Sequence, residues 1–267
     1  VKFVRYLSFL LSGLFILAML ILSGCAKETT SEKPFIYAVQ ADARTLDPQM
    51  STDATSNNAV ERKVYETLIT IDQNNKVIPA LATEWKQIDA LTWEFTLRKG
   101  VKFHDGTDFN GAAVKASFDR LLDPAAKRNR RSMLASITEI KVIDSYKIQL
   151  ITATPFAPLL LHLNHPGASI MSPKAIEEDK AGKNPLAQNP VGTGPFKFEK
   201  WIKGDQISYT RFDQYWGEKA KISKLIFKIV PEDTTRIAMV KTGEAQAANL
   251  VPVTEADRLS KDSAFKL

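Results

Sequence analysis

The chain has 267 residues, 44% of them hydrophobic and 25% charged, which is enough apolar material for one large core or two smaller ones. A formal charge of +6 is too mild for a nucleic-acid binder of this size. The single cysteine excludes an intrachain disulfide, a cysteine-based zinc site and a redox pair.

Lys2 and Arg5 open the chain, and Tyr6 to Ala26 follow without a charge, dominated by Leu, Ile, Phe, Ala and Met. At ~1.5 Å per helical residue this run matches the ~30 Å of a hydrocarbon core, so length alone fits a secretory signal or a retained transmembrane anchor. Leu22-Ser23-Gly24-Cys25 resembles the lipobox of bacterial lipoproteins, with an apolar residue, two small ones that fit a peptidase cleft, and the acceptor cysteine. We therefore expect a signal over residues 1–24, lipidation of Cys25, and a tether over 25–33, rich in Thr, Ser, Lys and Glu. Lys2 and Arg5 are the only charges ahead of Cys25, so the basic excess of the remainder falls from six to four.

Pro34–Ala41 reads as a strand, followed by an irregular loop closed by Asp47-Pro48. Val60, Val64, Tyr65 and Leu68 recur at helical spacing, which predicts about three turns with Ser56, Asn57 or Asn58 as N-cap. Leu68–Ile71 and Val77–Leu81 flank Asp72–Asn75 as a hairpin, and Trp93–Leu97 alternates like a half-buried strand. His104-Asp105-Gly106-Thr107 marks a tight turn, and a helix runs from an Asn110 cap to Leu122, stopped by Asp123-Pro124. Strands are expected at Ile137–Ile143 and Lys147–Ile151, then helices at Phe156–Leu163 and Pro173–Ala181. After a loop at Asn184–Pro195 come strands at Phe196–Trp201, Ile207–Phe212 and Leu225–Val230, a helix at Asp233–Thr242, a strand at Ala245–Leu250, and a helix at Thr254–Lys261. Ala264–Leu267 looks like the opening of one more strand. Strands and helices alternate throughout, so the class is mixed α/β.

Chemical motifs are few. Gly192-Thr193-Gly194-Pro195 lacks the run of N–H donors a phosphate cradle needs, because Pro195 has none, and reads as a turn into a strand. His162 and His165 have a metal-ligand spacing, but Pro166 breaks any helix that would align them and no carboxylate or cysteine lies close by. His104-Asp105 is adequately explained by turn geometry. No Gly-x-Ser-x-Gly elbow or triad is present, so no catalytic residues and no cofactor are expected. Trp85, Trp93, Trp201 and Trp216 fall next to strands and read as core contacts, and Arg128, Arg130 and Arg131 as a solvated loop.

Several stretches together resemble one family. They are Ala43–Pro48, Val64-Tyr65-Glu66-Thr67-Leu68, Pro79–Trp85, Trp93–Thr107, Val114–Pro124, Pro190–Phe196, Tyr215-Trp216-Gly217, and Val230–Val240 with Gly243-Glu244. In this order they resemble the extracytoplasmic solute-binding proteins of ABC importers, the family of oligopeptide-, dipeptide-, glutathione- and nickel-binding proteins, over residues 35–267. The resemblance implies a periplasmic-binding-protein-like type II lobe over 34–267 with an inserted α+β subdomain at about 70–170, and a second lobe that this sequence does not include. Two such lobes close on the ligand by hinge bending.

By the same resemblance the cleft side of this lobe is Asp42, Ala43, Arg44, Thr45 and Leu46 together with Asn249, Leu250 and Val251, and extended peptides are held there largely by backbone hydrogen bonds. It further implies a small peptide ligand, an ABC permease and ATPase as partners, a lipid anchor at the outer face of the cytoplasmic membrane, a monomer, and no enzymatic activity. Nickel is a minor alternative ligand. Two rival readings are a lipid-anchored sensor or interaction protein that kept this lobe, and a gene fragment of such a binding protein.

Overall fold

The computed structural model describes residues 33–266. The expected signal, Cys25 and the tether up to residue 32 lie outside the described residues.

Strand β1 (Phe35–Val39) is a run of apolar and aromatic residues with no polar face, a pattern suited to a strand covered on both sides. It sits inside a mixed five-stranded sheet whose strands, in order across it, are Ala247–Ala248, β1, Lys224–Ile229, Gln206–Arg211 and Phe196–Ile202. Its neighbours β10 (Lys224–Ile229) and β11 (Ala247–Ala248) both run parallel to it, in register Phe35 to Leu225 and Tyr37 to Ala247. β8 (Phe196–Ile202) and β9 (Gln206–Arg211) complete the sheet as an antiparallel meander onto β10. Tyr37, Phe227, Tyr209 and Phe198 form an edge-to-face row across four strands, with ring centroids 5.1, 5.7 and 6.4 Å apart. Such pairs add about 0.5–1.5 kcal/mol each beyond their burial.

Helix α1 (Ala54–Val60) covers this sheet, and its Ala59 carbonyl accepts the Tyr209 hydroxyl at 2.7 Å. It starts earlier and ends sooner than the periodicity predicts. Asp53 is the cap, accepting from the Ser56 amide at 2.8 Å, while the Ser56 hydroxyl is taken by the Arg44 amide. Arg62, in the left-handed region at φ 57°, ends the helical path, and Val64, Tyr65 and Leu68 are buried from a turn instead.

Between α1 and β8 the chain builds a second core. β2 (Ile69–Ile71) and β3 (Val77–Pro79) form the expected hairpin. β4 (Ala82–Gln87), β5 (Thr92–Leu97), β6 (Ile137–Asp144) and β7 (Lys147–Thr152) form an antiparallel sheet of order β4-β5-β7-β6. β4 is a strand that periodicity did not indicate, because Thr83-Glu84 and Lys86-Gln87 leave it polar on both faces. Helix α2 (Gly111–Leu122) lies across the sheet, capped by the Asn110 side chain on the Ala113 amide at 3.2 Å. Gly111 permits the approach, since a Cβ there would stand 3.1 Å from the side chains of both Ile148 and Val142. Phe95, Phe103, Phe109, Val114, Phe118 and Leu121 are buried in this core.

Two short helices, α3 (Leu159–Leu163) and α4 (Pro173–Lys180), lead back toward the main sheet. After β10, α5 (Asp233–Thr242) returns the chain to β11 and α6 (Val253–Leu259) follows. The strand expected over Ala245–Leu250 shrinks to Ala247–Ala248, and Ala264–Lys266 form no strand. Among the described residues, no helix is long and apolar enough to cross a membrane.

Candidate functional site

Because β1, β10 and β11 are parallel, their carboxyl ends at Val39, Ile229 and Ala248 share one edge of the sheet. Open α/β sheets place ligand crevices outside such ends. Three chain exits meet there: 40–47, 230–232 and 249–252. They are cross-linked by short bonds. Asn249 donates its amide to the Ala38 carbonyl at 3.1 Å and accepts the Gln40 amide on its Oδ1 at 3.0 Å.

The residues expected to contact a ligand divide by orientation. Asp42 accepts from Trp201 Nε1 at 2.9 Å and from the Gly204 amide at 2.7 Å, which fixes the β8–β9 hairpin against the first exit. Ala43 and Leu46 are buried, and the Leu46 amide donates to the Ala187 carbonyl at 2.9 Å. Thr45 accepts the Asp47 amide on its hydroxyl. Arg44 is exposed, with its backbone held by Ser56. On the other exit, Leu250 is 64% exposed and adopts φ 51°, and Val251 is half-buried. A left-handed conformation at a branched aliphatic residue costs roughly 1–2 kcal/mol and persists only where surrounding contacts impose it. Val253, just beyond, is 76% exposed, so this edge presents two bare aliphatic side chains beside polar backbone. Beside it a groove of about 490 Å³ runs along the outer side of β11, between Ile237 and Val240 of α5 and Leu259 of α6.

Periodicity and spacing missed the charged groups that hold this edge in place. Arg120, nearly buried on α2, pairs with Asp47 at 2.8 Å and Asp179 of α4 at 2.7 Å and donates to Gln49 Oε1 at 2.6 Å. Arg128 joins them, 3.4 Å from Asp47. Arg130 donates to the Ser51 carbonyl and Arg131 to that of Leu122. Of the three arginines read as a solvated loop, Arg128 ties down the first exit at Asp47 and Arg130 the chain just beyond it at Ser51, while Arg131 stays exposed and its side chain bonds to the end of α2.

A second polar knot gathers several of the motifs. The Glu66 carboxylate accepts from the Thr193 hydroxyl, the Tyr215 hydroxyl and Trp216 Nε1, each at 2.8 Å. Burial raises its pKa against those three donors. The Arg98 guanidinium stacks 4.1 Å above the Trp216 ring. A charged residue that is buried in a fold carries no mark of that in a linear sequence. The one available signal was that Glu66, Thr193, Tyr215 and Trp216 all lie in the stretches carrying the family resemblance.

The histidines are engaged separately. His162 Nδ1 lies 2.7 Å from the Met133 carbonyl, and His165 Nδ1 accepts the Gly167 amide at 2.9 Å. Among the described residues, no group of three or more His, Cys, Asp or Glu is placed to hold a metal ion. Asp105 accepts the Thr107 hydroxyl at 2.6 Å within its own turn and the hydroxyl of Ser172, the residue that caps α4, at 2.5 Å. Trp85, Trp93 and Trp216 pack on the second core and Trp201 on the main-sheet core.

Residues 76–267 match the family described as bacterial extracellular solute-binding proteins, family 5 Middle. The chain belongs to the family 5 extracellular solute-binding proteins. Within that family it is 36% identical over 237 residues to the glutathione-binding protein GsiB of Salmonella choleraesuis, covering 88% of this chain and 46% of GsiB. Among solved structures it resembles the periplasmic binding protein DppA of Helicobacter pylori in complex with the peptide STSA, with a TM-score of 0.79 and 31% identity, covering 90% of this chain and 51% of DppA. It also resembles AgaA of A. tumefaciens R10 in complex with agropinic acid, with a TM-score of 0.79 and 30% identity, over 86% and 46% of the two chains. The mixed α/β fold is thus that of the periplasmic binding proteins of family 5. The chain spans about half the length of the curated relatives it matches.

Proposed function

We propose that the protein is the substrate-binding component of an ABC importer and that it captures small peptides, of oligopeptide, dipeptide or glutathione-like size, outside the cytoplasmic membrane. It would hand them to a permease and its ATPase, act as a monomer, and perform no chemistry. The observation that carries this reading is the carboxyl edge of β1, β10 and β11. Its exits offer main-chain groups and aliphatic surface, the combination suited to a peptide of loosely specified sequence. GsiB, a glutathione-binding protein, and DppA, bound to a tetrapeptide, agree with a peptide-like solute. In this reading the edge formed by Asp42–Leu46 and Asn249–Val251 is the contribution of one lobe, residues 34–267 with the second core as an inserted subdomain. Residues 1–24 are the secretory signal, and Cys25 is the lipid attachment point.

Thermal unfolding with reduced glutathione, dipeptides and tetrapeptides tests the proposal. A bound solute at about 100 times its Kd stabilises the folded state by about 2.7 kcal/mol, enough to move the midpoint by several degrees. A midpoint that stays fixed across all three classes at millimolar concentration would contradict the peptide assignment.

A further inference from the structure

Arg236 stands near the start of α5 with 1% of its surface exposed. A guanidinium carries five N–H groups in a rigid planar fork, and here each one faces an acceptor. Nε donates to the Asn249 carbonyl at 3.2 Å. Nη1 serves the carbonyls of Val230 and Pro231 at 2.8 and 2.7 Å. Nη2 serves the carbonyl of Leu250 at 3.2 Å and the carboxylate of Asp233 at 2.5 Å. Four of the five acceptors are thus backbone carbonyls, two from the chain leaving β10 and two from the chain leaving β11. A side-chain acceptor can rotate away, but these carbonyls can leave the fork only if the backbone moves.

We propose that Arg236 is the positioning residue of the solute-facing edge: it sets the spacing of the two exits and holds Leu250 in the left-handed conformation that turns its side chain outward. The inference rests on the reading of this edge as solute-facing. Leu250 does not favour that conformation by itself. The constraint comes from its two sides, where Arg236 grips the carbonyls of Asn249 and Leu250 while the Asn249 side chain and amide are tied to β1 at Gln40 and Ala38. Arginine is specific here. A lysine brings three donors on one atom and cannot reach both exits in one geometry, and a methionine fills the volume while bonding to neither.

Amide hydrogen exchange read by mass spectrometry on the full 267-residue chain, compared with Arg236→Met and Arg236→Lys, tests the assignment. Reduced glutathione and the tetrapeptide Ser-Thr-Ser-Ala serve as binding probes. Arg236→Met is expected to speed exchange in the peptide spanning Ala245–Val251 about tenfold or more, while α2 keeps its wild-type protection. Arg236→Lys is expected to fall between the two. Where the wild-type chain binds a probe, Arg236→Met is expected to weaken that binding by about tenfold.

If Arg236 only fills space, Arg236→Met leaves exchange at Ala245–Val251 at the wild-type rate, and that overturns the proposal. Faster exchange that extends equally to α2 also overturns it, because it reports a loss of overall stability. A wild-type chain that binds neither probe yet shows the local exchange effect supports the positioning role and counts against the peptide reading instead. Should Arg236→Met not fold, Arg236→Lys decides the matter: wild-type exchange at Ala245–Val251 overturns the proposal, and local acceleration supports it.

Discussion

His104 Nε2 lies 2.8 Å from the carbonyl oxygen of Gly194, while its Nδ1 has no hydrogen-bond partner among the described residues. The ring is almost fully buried and packs edge-to-face on Phe212, with centroids 4.9 Å apart. The carbonyl needs a proton on Nε2, so the neutral ring carries it there and leaves Nδ1 bare. A second proton would place an uncompensated charge in this pocket, and burial pushes the histidine down to about 4.

That depressed value sets a pH dependence. Between about pH 4 and the ordinary histidine value near 6.5, the unfolded chain binds a proton that the folded chain refuses, so stability rises with pH across this window. Acidification from pH 7 to 4 is therefore expected to remove up to roughly 3 kcal/mol through this group. Urea titrations at stepped pH check it. A His104→Gln variant, whose carboxamide can still donate to the Gly194 carbonyl but does not titrate, should flatten the 6.5 to 4 segment. An unchanged slope in that variant would place the pH dependence elsewhere.

The same loop explains two glycines. A Cβ on Gly192 would stand 2.0 Å from the Val64 carbonyl oxygen, and one on Gly194 would stand 2.3 Å from that of Lys63. Both obstacles are backbone, and the Gly194 amide is bonded to the Val64 carbonyl at 3.0 Å, so neither strand of chain can yield. Gly192→Ala and Gly194→Ala are each expected to cost about 3 kcal/mol or more. Gly100→Ala is the control, with a positive φ of 75° but open space around it, and should cost about 1 kcal/mol. Equal losses at all three positions would show that backbone conformation, not close approach, dominates.

These glycines also show where sequence reasoning reached and where it stopped. The turn at Gly192–Pro195 into β8 is legible in its two glycines and Pro195, and α2 in Asn110, its apolar spacing and Asp123-Pro124. Local chemistry carries such signals. It does not say that the turn is pressed against Val64, since that contact is 128 residues away in the chain. Helix α1 starts before Ser56 for a related reason: the Ser56 hydroxyl is bonded to Arg44, and Asp53 does the capping. For the candidate site, the exits at Asp42–Leu46 and Asn249–Val251 came from the family resemblance alone. Arg236 and Arg120 look in sequence like any exposed arginine, and only the packing of distant segments buries them.

Arg120 offers a direct measure of what such burial requires. Its side chain is 5% exposed and that of Asp47 is 3% exposed, so neither charge has water to fall back on. Asp47→Ala leaves a buried guanidinium with Asp179 as its remaining close carboxylate, and is expected to cost about 3–5 kcal/mol. Replacing both members, as Asp47→Ala with Arg120→Met, removes the stranded charge and should cost clearly less than the sum of the single changes. A chemical-denaturation double-mutant cycle reads this out. Strict additivity would mean that the two groups do not interact energetically, whatever their separation.

Cys25 carries the remaining prediction, which concerns the proposed membrane attachment. Acyl chains contribute about 0.8 kcal/mol per buried CH₂, and one alone gives only marginal attachment, so stable retention needs two or more chains or an equivalent second signal. Expressed in bacteria with its leader, the protein should incorporate labelled palmitate and sediment with membranes. Cys25→Ser should lose the label completely. The uncharged run Tyr6–Ala26 makes sedimentation alone ambiguous, because a leader that is not cleaved would also hold the protein on the membrane. The mass of the N-terminal fragment separates the cases: a lipidated fragment beginning at Cys25 supports the anchor. An intact leader on the wild-type protein, without label, means that the apolar run itself is the anchor and that the cysteine has no part in attachment.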